Sequence, residues 1–573
     1  MTVNTATSTV TRNGLSRLDD LLLLGIMGIL AACGLIYEYL LSHYAGRILG
    51  ALEAAIYTMI GLMIVSMGFG AFAARKIRSA FDGFARLELS VALLGSLAIL
   101  ITAAVIGFGH ELPKLIAQTL ELAPDQLPNH GFIGTFQAIS VYLPYLWGIL
   151  LGLMIGMEIP LIARVRQELS DEHLLHNAGT IYGADYIGAG IGAAIWVAFM
   201  LALDTQLAAA LTAGFNLLAG LLFILRFRRR IRHAHWLLAG HVLATGLLLL
   251  LAVKGPLWEQ SFNNLLYKDN VIYSKATRFQ QLTFTERLMG NQLPPVYSMY
   301  INGRLQFSSS DEHIYHGFLV HPVLAASARH QKILVIGGGD GLALRQIYKW
   351  RPEQVTLLDL DKELIGLFKQ PPKDMPERLA RALLAMNGNA FNDPRVQVLF
   401  NDAFNGVDTL IQQQRKYDAI IVDLPDPSHP DLNKLYSSLF YRKLAQLLSA
   451  DGAIGIQSTS PYHATKAFIS IGKTLALAGF NIDQYHHNVP SFGEWGWTIG
   501  TLSGKTPRQR LSTLQQLPVA DDWLTPGLIR AAFEFPNHFY AKSAQINPNT
   551  IGSLQLYHYH LQAWSDSQGV ATF

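Results

Sequence analysis

Seven apolar segments crowd the first 255 residues of this 573-residue chain, near 21–45, 51–73, 88–109, 140–163, 178–202, 205–225 and 235–253. A bilayer's hydrocarbon core takes about 20 consecutive apolar residues per helix, so a chain with these runs in series has few folds open to it. They predict an all-α transmembrane bundle of about seven helices over 19–255, behind a polar tail, 1–18. The first run is longer than a signal-peptide core and has no small-residue cleavage site before the next span, so it reads as a retained helix. Arg75/Lys76/Arg78/Arg86, Arg164/Arg166 and the run Arg226 to Arg232 fall in alternate loops. The positive-inside rule places those loops and the N-terminus in the cytoplasm. By parity whatever follows the seventh span would lie on the outer face; the alternatives are that one segment does not cross, or that the bundle delivers substrate to that side or the domain works on an exported pool.

Glu38, Glu158 and Asp185 lie well inside their spans. Carboxylates are costly in lipid, so they are expected to face the bundle interior, as interhelical hydrogen bonds or as part of a path for a cation. The glycine-rich fifth run, "YGADYIGAGIGAA", suits close helix packing. The formal net charge of +3 is too small to argue for nucleic acid, and the arginine run lies between two apolar spans, where topology explains it. The single cysteine, Cys33, sits in an apolar run and supports neither disulfide, zinc ribbon nor thiol nucleophile.

From about residue 256 the composition becomes that of a soluble protein. Segments 271–286 and 296–308 read as strands of a small β-subdomain, 256–330, with a hairpin turn at Asn302-Gly303. Strands at 332–337, 354–360, 396–401, 417–423 and 452–458 then alternate with helices at 341–350, 362–369, 436–449 and 464–478, a Rossmann-like α/β domain over 331–536. Such sheets bind ligands at the carboxyl ends of their strands. Gly337, Gly338 and Gly339 allow a close backbone approach there, followed by Asp340. Asp359 ends the next strand and can take a ribose hydroxyl pair, and Asp402 can accept from an adenine amino group. Asp423 and Asp426 in "IIVDLPDPSHP" form a carboxylate pair that calls for a cationic partner, or else a helix cap before a proline turn. Residues 537–573 form a C-terminal extension, in which "LYHYHLQAW" reads as a possible strand with His558 and His560 on one face, taken as surface or packing residues because two histidines make at best half a metal site.

The stretches "ATRFQQL", "NGRLQFSSSDEHIYHGFLVHPVL", "VIGGGDG", "LLDLD", "NDPRVQVLFNDAF", "IIVDLPDPSHP", "YRKLAQLLSADGAIGIQSTSPY", "VPSFGEWGW" and "IRAAFEFP" follow one another between about residues 270 and 536. In that order they resemble the polyamine aminopropyltransferases, of which spermidine synthase is the best-known member. The membrane half is similar to the multi-span extension of some bacterial members, which implies a multi-pass protein in the lipid bilayer of the bacterial cell (inner) membrane. The resemblance implies transfer of the aminopropyl group of decarboxylated S-adenosylmethionine, a co-substrate, to putrescine, with no further cofactor and no metal, giving spermidine and 5′-methylthioadenosine. It implies a donor site made by Gln280, Asp359, Asp402 and Ala403, with Gly337 and Gly339 in the turn and Pro430 flanking the adenine. His316 and Asp340 match positions near the amine end, Tyr315 lines the cleft, Asp423 matches the proton acceptor and Asp426 completes the acceptor motif. Homo-oligomers, dimers or tetramers, are implied through the β-subdomain.

The charge of Asp340 fits this chemistry. A methyl donor carries an α-carboxylate that an acid in the turn would repel, whereas the decarboxylated donor ends in an ammonium that it attracts. Several positions depart from the family pattern: Asp359 for Glu, Phe492 for a Tyr, Gly317 and Gln346 for glutamates, Leu424 and Pro425 for small polar residues. The acceptor site is therefore the more altered, which leaves another amine as acceptor open. A methyltransferase, and a polyamine transporter or sensor with a non-catalytic binding domain, are the remaining alternatives.

Overall fold

The computed structural model describes residues 17–49, 52–119, 132–169, 174–290 and 293–566. Most of the predicted N-terminal tail and the last residues of the C-terminal extension lie outside the described residues. Contacts divide the chain into two compact units, Met1–Lys268 and Asp269–Phe573.

Among the described residues of the first unit, seven helices are long and apolar enough to cross a membrane: Arg17–Leu49, Leu52–Ala73, Ala80–Thr119, Leu143–Leu169, Leu174–Ala198, Thr205–Phe227 and Ala234–Asn264. The last runs through Pro256 to Asn264, so the first residues assigned to the β-subdomain by sequence continue the helix instead. All three basic loops meet at one end of the bundle. Asp19 and Asp20 in the first turn of the first span pair with Arg226 and Arg166. Arg164 donates to the carbonyls of Ile77 and Arg78 at 2.7 and 3.0 Å, and the Arg232 amide donates to Asp82 at 2.7 Å. At the other end, Tyr44 near the close of the first span donates to Asn263 near the close of the seventh, at 3.1 Å.

Of the three acids read as intramembrane, only Glu158 is fully buried; Glu38 and Asp185 are half-buried. A fourth acid, Glu88, escaped the sequence reading. It is 0% exposed and accepts a hydrogen bond from Asn216 at 2.8 Å. The glycines of the fifth span divide by face. A Cβ on Gly188 would lie 2.2 Å from the carbonyl oxygen of Gly28, and one on Gly192 2.7 Å from that of Ala32, so two backbones touch where only hydrogen fits. A Cβ on Gly190 would meet nothing within 4 Å.

The second unit carries two sheets. The smaller is an antiparallel meander of β1 (Asn270–Ala276), β2 (Gln281–Arg287), β3 (Val296–Ile301) and β4 (Arg304–Ser308). The run read as one strand over 271–286 is thus a pair, turned at 277–280. Asn302 and Gly303 take φ of 49° and 80°, the left-handed values that a two-residue hairpin turn requires. The larger sheet has the order β10-β11-β9-β8-β5-β6-β7. It is built from β5 (Lys332–Gly337), β6 (Gln354–Asp359), β7 (Val396–Phe400), β8 (Tyr417–Asp423), β9 (Leu448–Gln457) and a closing hairpin, β10 (Asn481–Val489) and β11 (Gly493–Thr501). β5 to β9 run parallel and β10 and β11 antiparallel.

The strands are apolar on both faces because both are covered. Ile333 and Val335 of β5 enter one core with Phe318 and Leu344, while Leu334 and Ile336 enter the opposite core with Tyr436 and Phe440. The chain passes from β5 outward to β7, then returns to the other side of β5 as β8. That reversal makes the switch point between β5 and β8, where the carboxyl ends leave a crevice.

The segment read as a strand at 556–564 is the helix Gln555–Asp566. Helical periodicity separates its histidines: His558 is exposed and His560 is 2% exposed.

The contact between the fifth and first spans yields a test. Gly188→Ala is expected to lower the thermal midpoint of the detergent-solubilised protein, at a cost of about 1–3 kcal/mol from overpacking. Gly190→Ala, two residues away, should leave it unchanged when the pair is compared by scanning fluorimetry.

Candidate functional site

The crevice is set by backbone contact. β5 ends on Gly337, φ +79°, paired with Asp423 at the end of β8. A Cβ on Gly337 would fall 2.1 Å from the Asp423 carbonyl oxygen, and the Gly338 amide donates to that same oxygen at 3.1 Å. On the far side, a Cβ on Gly339 would sit 2.9 Å from Asp359 Oδ2. The glycine turn thus lies between two acid-bearing strand ends at van der Waals distance.

Asp340 follows, its Oδ1 accepting from the Leu342 amide at 2.9 Å. Burial, partly offset by His316 and reinforced by Asp423, pushes its carboxyl up to about 6. Burial also pushes Asp359 up to about 6, against hydrogen bonds from the amides of Asp361 and Leu360. Asp423 is likewise raised by burial. Acids held in this state lower their free energy by meeting a cation.

The helix Glu312–Ala326 supplies the opposite wall. Tyr315 donates to Asp423 Oδ1 at 2.8 Å. His316 Nδ1 faces the Glu312 carbonyl at 2.8 Å and its carboxylate at 3.1 Å, both acceptors, so this nitrogen bears the proton and Nε2 is turned toward Asp423 Oδ2, 3.9 Å away. Burial opposes charge on His316, but Glu312, Asp340 and Asp423 together hold its pKa above the usual imidazole value. Glu312 is itself gripped by Arg345, with bonds of 2.8 and 2.9 Å. Two departures from the family pattern have steric or bonding reasons. A side chain at Gly317 would begin 2.6 Å from Leu524, and Gln346 lies 3.2 Å from His321 Nε2.

At the outer strands, Gln280 donates to Asp361 at 2.9 Å, and the Asp361 amide donates to Asp359 at 2.8 Å. Asp361 ties β2's lead-in turn to the end of β6; the sequence reading passed over it, though it stands within "LLDLD". Asp402 caps the helix Ala403–Gln412 through the amides of Phe404 and Asn405, and pairs with Lys434 at 2.8 Å. Burial works against its ionisation, but Lys434 and the cap hold its pKa below the usual value. Ala403 is buried, and Pro430 opens the helix Pro430–Asn433 that leads to Lys434.

Asp426 is held by three groups: Gln457 and Thr459, which the sequence does not single out, and His560, which it offers only as a surface or packing residue. Gln457 Nε2 reaches one carboxylate oxygen at 3.2 Å, and Thr459 Oγ1 and His560 Nε2 reach the other at 3.3 Å each. Thr459 is fully buried at φ +58°, strained for a β-branched residue, and its amide bonds to Gln457 Oε1 at 3.0 Å. Phe492 stacks near Tyr315 and Trp495, with centroids 5.9 and 5.0 Å apart, and makes that wall apolar. The structure therefore brings Tyr315, His316, Asp340 and Asp423 together, with Asp359 and Asp426 on either side. Gln280 and Asp402 reach the same rim through Asp361 and the Lys434 segment.

The raised carboxyl of Asp340 links the site to stability. A folded pKa above the unfolded value near 3.9 favours the fold while the group is protonated. That stability is complete below about pH 4 and is lost as pH rises through about 6. Asp340→Asn, which keeps the acceptor for Leu342, is thus expected to raise the unfolding midpoint of the ligand-free protein above pH 7. The gain is at most about 3 kcal/mol and should vanish near pH 4, as a pH series of thermal melts would read.

Comparison with known proteins bears on what this crevice serves. The family profile "Spermine/spermidine synthase domain" matches residues 312–512. A polyamine aminopropyltransferase of Shewanella oneidensis is 74% identical over 567 residues, 99% of each chain. Polyamine aminopropyltransferase 1 of Streptomyces coelicolor is 31% identical over 95% of each. The crystal structure of spermidine synthase from Thermotoga maritima covers 48% of this chain and 87% of its own, at 22% identity and a TM-score of 0.40. With a relative so similar along its whole length, this chain belongs to the polyamine aminopropyltransferases, enzymes that transfer an aminopropyl group in polyamine synthesis.

Proposed function

We propose that the enzyme takes its aminopropyl group from decarboxylated S-adenosylmethionine and gives it to putrescine, forming spermidine and 5′-methylthioadenosine. The observation that carries this reading is the acid in the glycine turn: Asp340 lies within electrostatic range of His316 and of a second acid, Asp423, and its raised pKa marks a place where an ammonium lowers the free energy. In this reading Gln280, Asp359, Asp402, Ala403 and Pro430 hold the nucleoside, and Gly337 and Gly339 let the backbone close on it. Asp340 and His316 lie at the donor's amine end. Asp426 takes the distal ammonium of the diamine.

The step is a single displacement. The amine nitrogen forms a bond to the carbon beside the sulfonium, the carbon–sulfur bond breaks, and its electron pair stays on sulfur as the neutral thioether of methylthioadenosine. A primary amine with a pKa near 10 is charged at neutral pH and attacks only after losing a proton. Asp423 is the acceptor for that proton. Its Oδ1 is fixed by Tyr315, which leaves Oδ2, on the His316 side, for the amine. Holding both nitrogens in line lowers the entropy cost of the encounter.

The apolar Phe492 wall removes a hydroxyl from the amine pocket, so acceptor range is the open variable. With purified full-length protein and a panel of diamines, putrescine is expected to give spermidine and methylthioadenosine by mass. Asp423→Asn should lower kcat by about 100-fold or more, the usual scale of a lost general base. Another diamine turned over in preference would replace the acceptor and leave the reaction standing.

In this reading the seven apolar helices cross the bacterial cell membrane, and homo-oligomers form through the β1–β4 meander. By parity the catalytic unit lies on the outer face. Reporter fusions after Arg232 and after Lys268 should then give opposite signals, cytoplasmic for the first; like signals at both would overturn the outward placement.

A further inference from the structure

The C-terminal extension ends its described course as a helix built into the catalytic unit. Leu556 is 0% exposed in the core that contains Tyr436 and Phe440. Its amide donates to Asn549, whose side chain donates to the carbonyls of Asn433 and Tyr436, at the far end of the loop that carries Asp426. Tyr559 accepts from the Asn547 amide at 3.2 Å, and Gln562 accepts from Lys466 at 3.0 Å. One turn after Leu556, this anchored helix presents His560 to the carboxylate of Asp426. The imidazole is 2% exposed, and its Nε2 lies 3.3 Å from Oδ2, the oxygen that Thr459 also reaches. A carboxylate oxygen in this contact only accepts, so Nε2 is the donor.

The consequence lies in how Asp426 is held. Its three partners, Gln457, Thr459 and His560, all bond at 3.2 to 3.3 Å, at or just beyond the long end of the normal range. They come from two directions, β9 with the loop after it and the extension helix. A short aspartate fixed from two sides keeps one rotamer, while a carboxylate's four acceptor positions leave capacity for a further donor. Beside Tyr315 and Trp495 the apolar ring of Phe492 offers the amine no hydrogen bond. The polar definition of this end of the pocket therefore comes from the side the extension occupies. Arg304, at the start of β4, also lies within electrostatic range of Asp426 and of Tyr557 on the same helix.

We infer that His560 is a positioning residue for the acceptor amine: it fixes the Asp426 carboxylate so that the distal ammonium of a diamine binds with its other nitrogen aimed at Asp423. It touches neither donor nor reacting atoms, and it makes the extension part of the amine subsite. This inference rests on the reading of Asp426 given under Proposed function.

The test is steady-state kinetics of the full-length protein with decarboxylated S-adenosylmethionine and putrescine, joined by diamines one methylene shorter and longer. His560→Ala is expected to raise KM for the diamine about 10-fold, leave KM for the donor unchanged and keep kcat within about twofold. It should also flatten the preference among the three chain lengths. His560→Gln, whose amide can donate to the same oxygen, should recover most of the lost affinity. Leu556→Ala on the same helix serves as the structural control, expected to lower the thermal midpoint without the selective change in amine KM. An unchanged amine KM in His560→Ala, or equal losses in kcat and in both KM values, would overturn the inference. Failure of the wild-type protein to transfer to any diamine would instead sink the functional reading beneath it.

Discussion

Everything at the site depends on how closely two strand ends approach. β5 and β8 are neighbours across the switch point of the sheet, and the last pair in their register is Gly337 with Asp423. Because residue 337 has no Cβ, the turn can leave β5 at φ +79° directly over the Asp423 carbonyl, and the Gly338 amide takes up that oxygen. This one contact aims the Asp423 side chain at the Glu312–Ala326 helix, where Tyr315 and His316 meet it. It also delivers Asp340 to the same small volume. A turn with a side chain at 337 would have to swing away from β8, and the carboxylates would then lie too far apart to act on one ligand.

The arrangement is expensive for the empty protein. Asp340, Asp359 and Asp423 are all held above their usual pKa, with burial the first cause in each case. A fold under selection for stability alone would replace such acids with apolar or neutral groups. They persist where a ligand supplies the opposite charge, as the ammonium groups of the proposed donor and diamine would. Thr459 is strained in the same sense: a buried β-branched residue in the left-handed region is kept where its hydroxyl and amide brace Asp426 and Gln457. Strain and repulsion are thus gathered at the crevice, while the two cores flanking the sheet are ordinary aliphatic and aromatic packing.

How much of this could be read from the chain follows from the range of each signal. The apolar runs are local, and the seven helices stand where hydropathy places them. So do β5, β6, β7 and β8, whose ends carry the glycine turn, Asp359, Asp402 and Asp423. The edge hairpin β10–β11 went unseen because its residues, such as His486, His487 and Asn488, are mixed in polarity and find their strand partners only in register with β9. Residues 555–566 were misread because the alternation in "LYHYH" imitates a strand of period two. What decides the matter is Leu556 packing into a core built by distant residues. Asp361, Gln457 and Thr459 were missed, and His560 was taken for a surface or packing residue, for a related reason: each acts through another side chain, and such pairings across up to 134 residues leave no local pattern. Glu88 was hidden likewise, its partner Asn216 lying 128 positions away.

The membrane unit answers to a different constraint, and its arginines serve it twice. Under the positive-inside rule insertion into a bilayer would read only the chain's local charge, so Arg75 to Arg86, Arg164 with Arg166, and Arg226 to Arg232 would set orientation before any tertiary contact forms. Once the helices pack, part of that charge is consumed: Arg166 and Arg226 close on Asp20 and Asp19, and Arg164 caps the carbonyls at residues 77 and 78. Pairing after insertion does not erase the topological signal, because acidic residues contribute little to it. The same contacts pin the start of the first span to the basic loops, while Tyr44 and Asn263 join the far ends of the first and seventh spans. The first and seventh helices thus run in the same direction by packing as well as by count, and the chain leaves the bundle from the end opposite its arginines.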